Sequence, residues 1–108
     1  MPTPFEVLAL PLRREILDRL RAGPRLVGEL ACELGVAQPI LSKQLKILRD
    51  TGFVEVHAEA QRRRYALRPE PLAAVADWLE PYRWLWERQL DRLGEHLDAM
   101  PDDSEDPS

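Results

Sequence analysis

Residues 28–54 read GELACELGVAQPILSKQLKILRDTGFV, and two changes of period within this stretch decide the fold. Val27, Leu30, Ala31 and Leu34 recur at three- and four-residue steps, the spacing that lines one face of a helix. Gly35 stops that helix after barely two turns, since glycine takes the left-handed closing conformation without a Cβ penalty. Only Val36 and Ala37 intervene before a second helical run, Gln38 to about Thr51, whose apolar stripe reads Ile40, Leu41, Leu45, Ile47 and Leu48. Two helices joined by a tight turn that opens on glycine make a helix-turn-helix. After Gly52 the period falls to about two: Phe53, Val54 and Val56 run out to a polar tip at residues 58–61, and the chain returns through residues 62–67. Two short strands around a polar tip predict a hairpin, placed only loosely because the tip lacks Asn-Gly or Asp-Gly.

Prolines punctuate the rest, because a first helical turn accepts them and a helix interior does not. Pro4 opens a short apolar helix. Pro11 opens another, to Arg21, with Leu12, Ile16, Leu17 and Leu20 on one face and Gly23-Pro24 as its stop. Residues 68–71, Arg-Pro-Glu-Pro, end the hairpin; a short helix follows from Leu72 to Leu79, and a longer one starts near Pro81 and runs to Met100. The predicted architecture is mostly α with a two-stranded β-wing, a winged helix-turn-helix in the order α-α-α-α-β-β-α-α. Residues 1–100 form one DNA-binding and dimerisation domain, and residues 101–108, PDDSEDPS, form an acidic tail too polar to bury anything and expected to be disordered.

At 108 residues, 44% apolar and 31% charged, the chain has room for one small core and no second domain. Its single cysteine, Cys32, rules out an intrachain disulfide and a self-contained cysteine metal site. No secretory pattern and no apolar run near ~18 residues is visible, so the expected location is the cytoplasm, with no membrane partner. The net charge of −4 taken whole argues against nucleic acid. Its distribution argues the other way: through Arg68 there are twelve basic and eight acidic residues, from Pro69 onward three and eleven, and between Gln38 and Arg68 seven and three.

That basic segment holds side chains suited to a duplex. A helix entering the major groove reads bases with polar residues near its N-terminus. Gln38 lies in the first turn, and Ser42 and Lys43 lie one turn on, off the apolar stripe. Glutamine pairs bidentately with adenine and serine donates to base or phosphate. Lys46 and Arg49, further along, suit phosphates. Arg62, Arg63 and Arg64 are the densest positive cluster; strand alternation sends Arg62 and Arg64 to one face and Arg63 with Tyr65 to the other, so all three meet one groove only from the turn itself. They read as a wing gripping phosphates or minor groove, against a bland reading as edge charges that discourage aggregation.

The run 28–54, with PLRREIL at 11–17 and the Arg-Arg-Arg-Tyr wing, resembles the ArsR/SmtB family of bacterial transcriptional repressors across roughly residues 5–68. The resemblance implies double-stranded DNA as the partner, with Gln38, Ser42 and Lys43 on positions the family uses for DNA and Pro39 on another, where it offers apolar contact only. The stretch WLEPYRWLW, 78–86, looks like the tail of a metal-independent branch. The family's Cys-x-Cys metal pair reads Leu26-Val27-Gly28 here, and its last-helix site, counted from Asp77, gives Leu79, Leu90 and Leu93. His57 and His96 stand alone, so no metal and no cofactor is expected. Cys32, off its helix's apolar stripe, reads as a small filler; a redox role is the alternative. Where family members often place a capping Asp before Pro11, this chain has Leu10.

Trp78, Tyr82, Leu85, Trp86, Leu90, Leu93 and Leu97 form a stripe longer than one small core needs. It reads as a two-fold homodimer interface, against packing within the monomer. The functional expectation is a sequence-specific DNA-binding regulator, a homodimeric repressor binding a palindromic operator through helix 38–51 and the wing, with its inducer unidentified. The alternative is a winged-helix protein–protein interaction module without operator binding. With no Gly-rich phosphate loop and no paired carboxylates, the chain offers an enzyme nothing to assemble.

Overall fold

The computed structural model describes residues 2–99; the acidic tail lies outside them. Helix α1, Pro4–Leu8, starts on a reciprocal cap: Thr3 Oγ1 accepts from the Glu6 N–H at 3.2 Å while Glu6 Oε1 accepts from the Thr3 N–H at 3.3 Å. Helix α2, Pro11–Arg21, lacks such a cap, because Leu10 in the capping position has no acceptor. Leu10→Asp should therefore raise stability by about 1 kcal/mol, read as a melting temperature higher by roughly 4–8 °C. An unchanged or lower melting point would show that the first-turn amides of α2 are already satisfied.

Arg25–Leu26 form a short strand, β1, followed directly by α3, Val27–Leu34, whose first turn is fastened by Glu29 Oε1 accepting from the Leu26 N–H at 2.7 Å. Gly35 closes α3 at φ 65°, left-handed backbone that turns the chain into α4, Gln38–Asp50. Gly52, at φ 82°, makes the equivalent exit from α4. Strands β2, Val54–Glu59, and β3, Arg62–Leu67, pair antiparallel from Val54 opposite Leu67 to Glu59 opposite Arg62. Their two-residue connection puts Ala60 at φ 55°, so the turn has the geometry of a tight hairpin without its usual Gly or Asn.

The sheet has three strands where the period predicted two. In the order β1-β3-β2, Arg25 lies opposite Tyr65 and Leu26 opposite Arg64. Two residues are too short a run to show alternation, which is why the pattern did not reveal β1.

The core gathers residues from α1 to α4 and from the start of the hairpin. Val7, Ile16, Leu30, Leu41, Leu45, Leu48 and Phe53 are wholly buried, with Leu17, Leu20 and Val54 nearly so. Each such side chain gains about 1.5–3 kcal/mol by leaving water. Ile40, assigned to the α4 stripe from sequence, is not among them: it is 53% exposed. Three residues of that helix, at 41, 45 and 48, suffice to fill its contact with the core, and Ile40 sits around the cylinder from them.

The described residues divide into two compact units between Ala76 and Asp77. Helix α5, Glu70–Leu79, begins two residues before the predicted Leu72. Pro81 has no N–H to continue the ladder, so residues Glu80–Tyr82 form a 3₁₀ turn and α6 spans Arg83–Ala99, later than the predicted start at Pro81. In the second unit the rings of Trp78 and Tyr82 are 5.4 Å apart, and Arg83 Nε donates to Glu87 Oε1 at 2.9 Å. That hydrogen bond, then the charges of Glu87 and Glu80, raise the Arg83 pKa.

Candidate nucleic-acid interface

Burying Leu41, Leu45 and Leu48 leaves the rest of α4 to solvent: Pro39, Ser42, Lys43 and Lys46 are exposed around the cylinder, and Gln38, three residues before Leu41, is exposed in the first turn. Exposed Ile40 adds an apolar surface that sequence reasoning had spent on the core. The helix is fixed from behind by a bond that periodicity could not show: Arg13 Nε donates to Gln44 Oε1 at 2.9 Å, locking α4 to α2. Arg13 also reaches the Val7 carbonyl at 3.4 Å, and Arg14 the Leu8 carbonyl at 2.7 Å, which satisfies the exposed end of α1.

Between α4 and the wing runs an open groove of about 970 Å³, bordered by Ser42, Lys46 and Arg49 on one side and Arg62 and Arg63 on the other. Arg62 and Arg63 share it although strand alternation separates them, because Arg62 stands beside the turn. Arg64 does not join them. Its Nε donates to Glu59 Oε1 at 3.1 Å, leaving it half-buried. Other arginines are also neutralised locally: Arg25 against Glu33 at 3.0 Å, Arg19 against the same carboxylate at 3.7 Å, and Arg68 against Glu70 at 3.6 Å. Lys43, Lys46, Arg49, Arg62 and Arg63 have no ion-pair partner among the described residues. Of the eight first-unit cations without an ion-pair partner among the described residues, five thus lie on α4 and the wing tip, and the other three, Arg13, Arg14 and Arg21, on α2; a cluster of this kind is what a polyanion neutralises.

The positions that in the family hold the Cys-x-Cys pair carry Leu26 and Gly28 here. Leu26 and Gly28 border the groove, His57 faces Glu55 with Nε2 3.3 Å from Oε1, and Cys32 is exposed. Among the described residues no three His, Cys, Asp or Glu side chains converge, and no helix is long and apolar enough to cross a membrane. On α5, the turn and α6, the seven residues of the apolar stripe are between 42% and 62% exposed. Trp84, outside the stripe, is 52% exposed with the Arg88 guanidinium 5.6 Å from its ring centre.

The family model described as "Bacterial regulatory protein, arsR family" matches residues 11–56, from the first turn of α2 into β2. The HTH-type transcriptional regulator Rv2034 of Mycobacterium tuberculosis is 37% identical over 100 residues, 93% of this chain and 91% of its own. The chain belongs to the ArsR family. The crystal structure of the transcriptional repressor BigR from Xylella fastidiosa matches with a TM-score of 0.61 at 32% identity, over 73% of this chain and 81% of that one. The solution structure of the homodimeric winged helix-turn-helix DNA-binding domain of Mb0332 from Mycobacterium bovis matches with a TM-score of 0.61 at 29% identity, over 74% of each chain. This ArsR-family protein is a winged-helix transcriptional regulator and not an enzyme.

Proposed function

We propose that this ArsR-family chain works in the cytoplasm as a homodimeric repressor that lays α4 in the major groove of a palindromic operator and closes the wing on the flanking backbone. The observation that carries the reading is the concentration of unpaired cations on α4 and the wing tip, beside the exposed reading residues. In this arrangement Gln38 and Lys43 address base edges, Ser42 a base or phosphate, and Ile40 and Pro39 the methyl group of thymine. Lys46, Arg49, Arg62 and Arg63 hold phosphates, and Arg64 holds the wing's shape through Glu59. The exposed stripe on α5 and α6 supplies the dimer contact, so that residues 1–100 act as one functional domain. The homodimeric Mb0332 domain is consistent with this. Repression follows from occupancy, because a dimer spanning about one turn of duplex, ~34 Å between reading helices, occupies a promoter physically.

Selecting bound fragments from a genomic library with the purified protein tests the reading. The expected result is enrichment of one two-fold-symmetric sequence, and a loss of about 1–3 kcal/mol of discrimination at single base pairs in Gln38→Ala and Lys43→Ala. Recovery of fragments with no common sequence would favour the protein–protein module instead.

A further inference from the structure

The groove beside α4 offers more than a phosphodiester strand uses. Its rim carries Lys46, Arg49, Arg62 and Arg63, but its floor is made by Leu26, Val27 and Tyr65, all half-buried. Backbone phosphates are met by cations and N–H groups and gain nothing from such a floor. A second observation concerns Gly28, in the first turn of α3. Its backbone does not need glycine, since its φ is not in the left-handed region, and beyond its chain neighbours and the helix's own backbone no atom stands within 4 Å of where a Cβ would be. Glycine weakens a helix relative to alanine, and here the missing side chain leaves the floor of the groove open. The acidic residues of the lining offset only half of the rim: Glu29, whose Oε1 accepts from the Leu26 N–H at 2.7 Å, and Asp50 stand against four cations.

From this pairing of an apolar floor with an unpaired cationic rim, we infer that the groove binds an amphipathic organic anion, a carboxylate carried on a flat aromatic body, and that this ligand and the duplex exclude one another. The size fits: about 970 Å³ lies at the upper end of ordinary small-molecule sites. A guanidinium of Arg62 or Arg63 takes the carboxylate through two parallel N–H bonds, and the ring lies over Leu26, Val27 and Tyr65. The exclusion rests on the DNA-binding reading, because Ser42, Lys46, Arg62 and Arg63 serve both occupants; the anion site itself does not.

The test is a titration of the ¹⁵N-labelled full chain with 2-naphthoate, followed by NMR, beside the uncharged 2-naphthalenemethanol and the ring-less acetate. Saturable shifts confined to residues 26–29, 42–50 and 61–65 are expected, with a Kd below about 1 mM. The alcohol should bind about tenfold more weakly and acetate should not saturate. Gly28→Leu, which fills the floor, should abolish the shifts, and Arg62→Gln, at an exposed position that leaves the core intact, should weaken binding about tenfold. Shifts centred on the tryptophans of α5 and α6, equal binding of the alcohol, or no saturation by about 10 mM would overturn the site. In a parallel anisotropy assay, naphthoate should release labelled operator. Naphthoate binding in the groove without release would overturn the exclusion, and a duplex that never binds would overturn the DNA reading while the titration still decides the site.

Discussion

Raising salt from about 50 to about 200 mM should weaken operator binding by roughly 10³–10⁴-fold, because each phosphate neutralised by the protein releases a counterion. The unpaired cations around the groove set the size of the effect. Lys46, Arg49, Arg62 and Arg63 have no carboxylate partner among the described residues, so three or four per protomer give six to eight phosphate contacts per dimer. At about 0.9 per contact, the slope of log affinity against log salt lies near −5 to −7. Arg63→Gln removes two contacts per dimer and should make that slope shallower by about 2, with sequence preference retained. Arg64→Gln should leave the slope nearly unchanged, since Arg64 is already committed to Glu59 at 3.1 Å. Fluorescence anisotropy across a salt series distinguishes these outcomes. A slope near zero in the parent, or equal effects of the two substitutions, would remove the wing from the phosphate contacts.

Leu90→Glu combined with Leu93→Glu should convert the protein to a monomer and reduce operator affinity by at least about 100-fold, the gain that linking two half-site contacts supplies. Leu90 and Leu93 are 62% and 52% exposed, beside Trp86 and Leu97 on the same stripe. In the dimer each apolar side chain buried there contributes about 1.5–3 kcal/mol, whereas two carboxylates per protomer brought to a two-fold axis would repel. The core of α1 to α4 does not include these positions, so circular dichroism and the melting of the first unit should be nearly unchanged. Sedimentation velocity reads the change in mass directly. A parent chain that sediments as a monomer at micromolar concentration, or a double variant that remains dimeric, would remove the α6 stripe from the interface.

How much of this was legible in the sequence depended on run length. Helices α2 and α4, at 11 and 13 residues, each hold three turns or more of the 3.6-residue pattern and α3, at 8, just over two, and Leu30, Leu41, Leu45 and Leu48 were placed in the core for that reason. The hairpin was legible because its strands are six residues each, although its tip was not: Ala60 takes a left-handed φ that nothing in its chemistry announces. β1 was invisible at two residues. Ile40 was misplaced because an apolar residue next to a stripe looks like part of it, and only the filled space around Leu41 and Leu45 shows that it is surplus. On the candidate interface, residue type identified Lys46, Arg62 and Arg63, but which arginine is free depends on where its neighbours' carboxylates reach. Arg64, which alternation places on the same face as Arg62, is claimed by Glu59, and Gln44, unremarkable in sequence, is what Arg13 grips to hold the reading helix.

The two residues of β1 have a mechanical consequence. A lone two-stranded ribbon is marginally stable in water and would sway about its base. Pairing Arg25 with Tyr65 and Leu26 with Arg64 attaches the inner strand of the wing to the segment that leads into α3. The wing is thereby preorganised before any partner arrives: the entropy of stiffening it is spent during folding, and association is spared that loss.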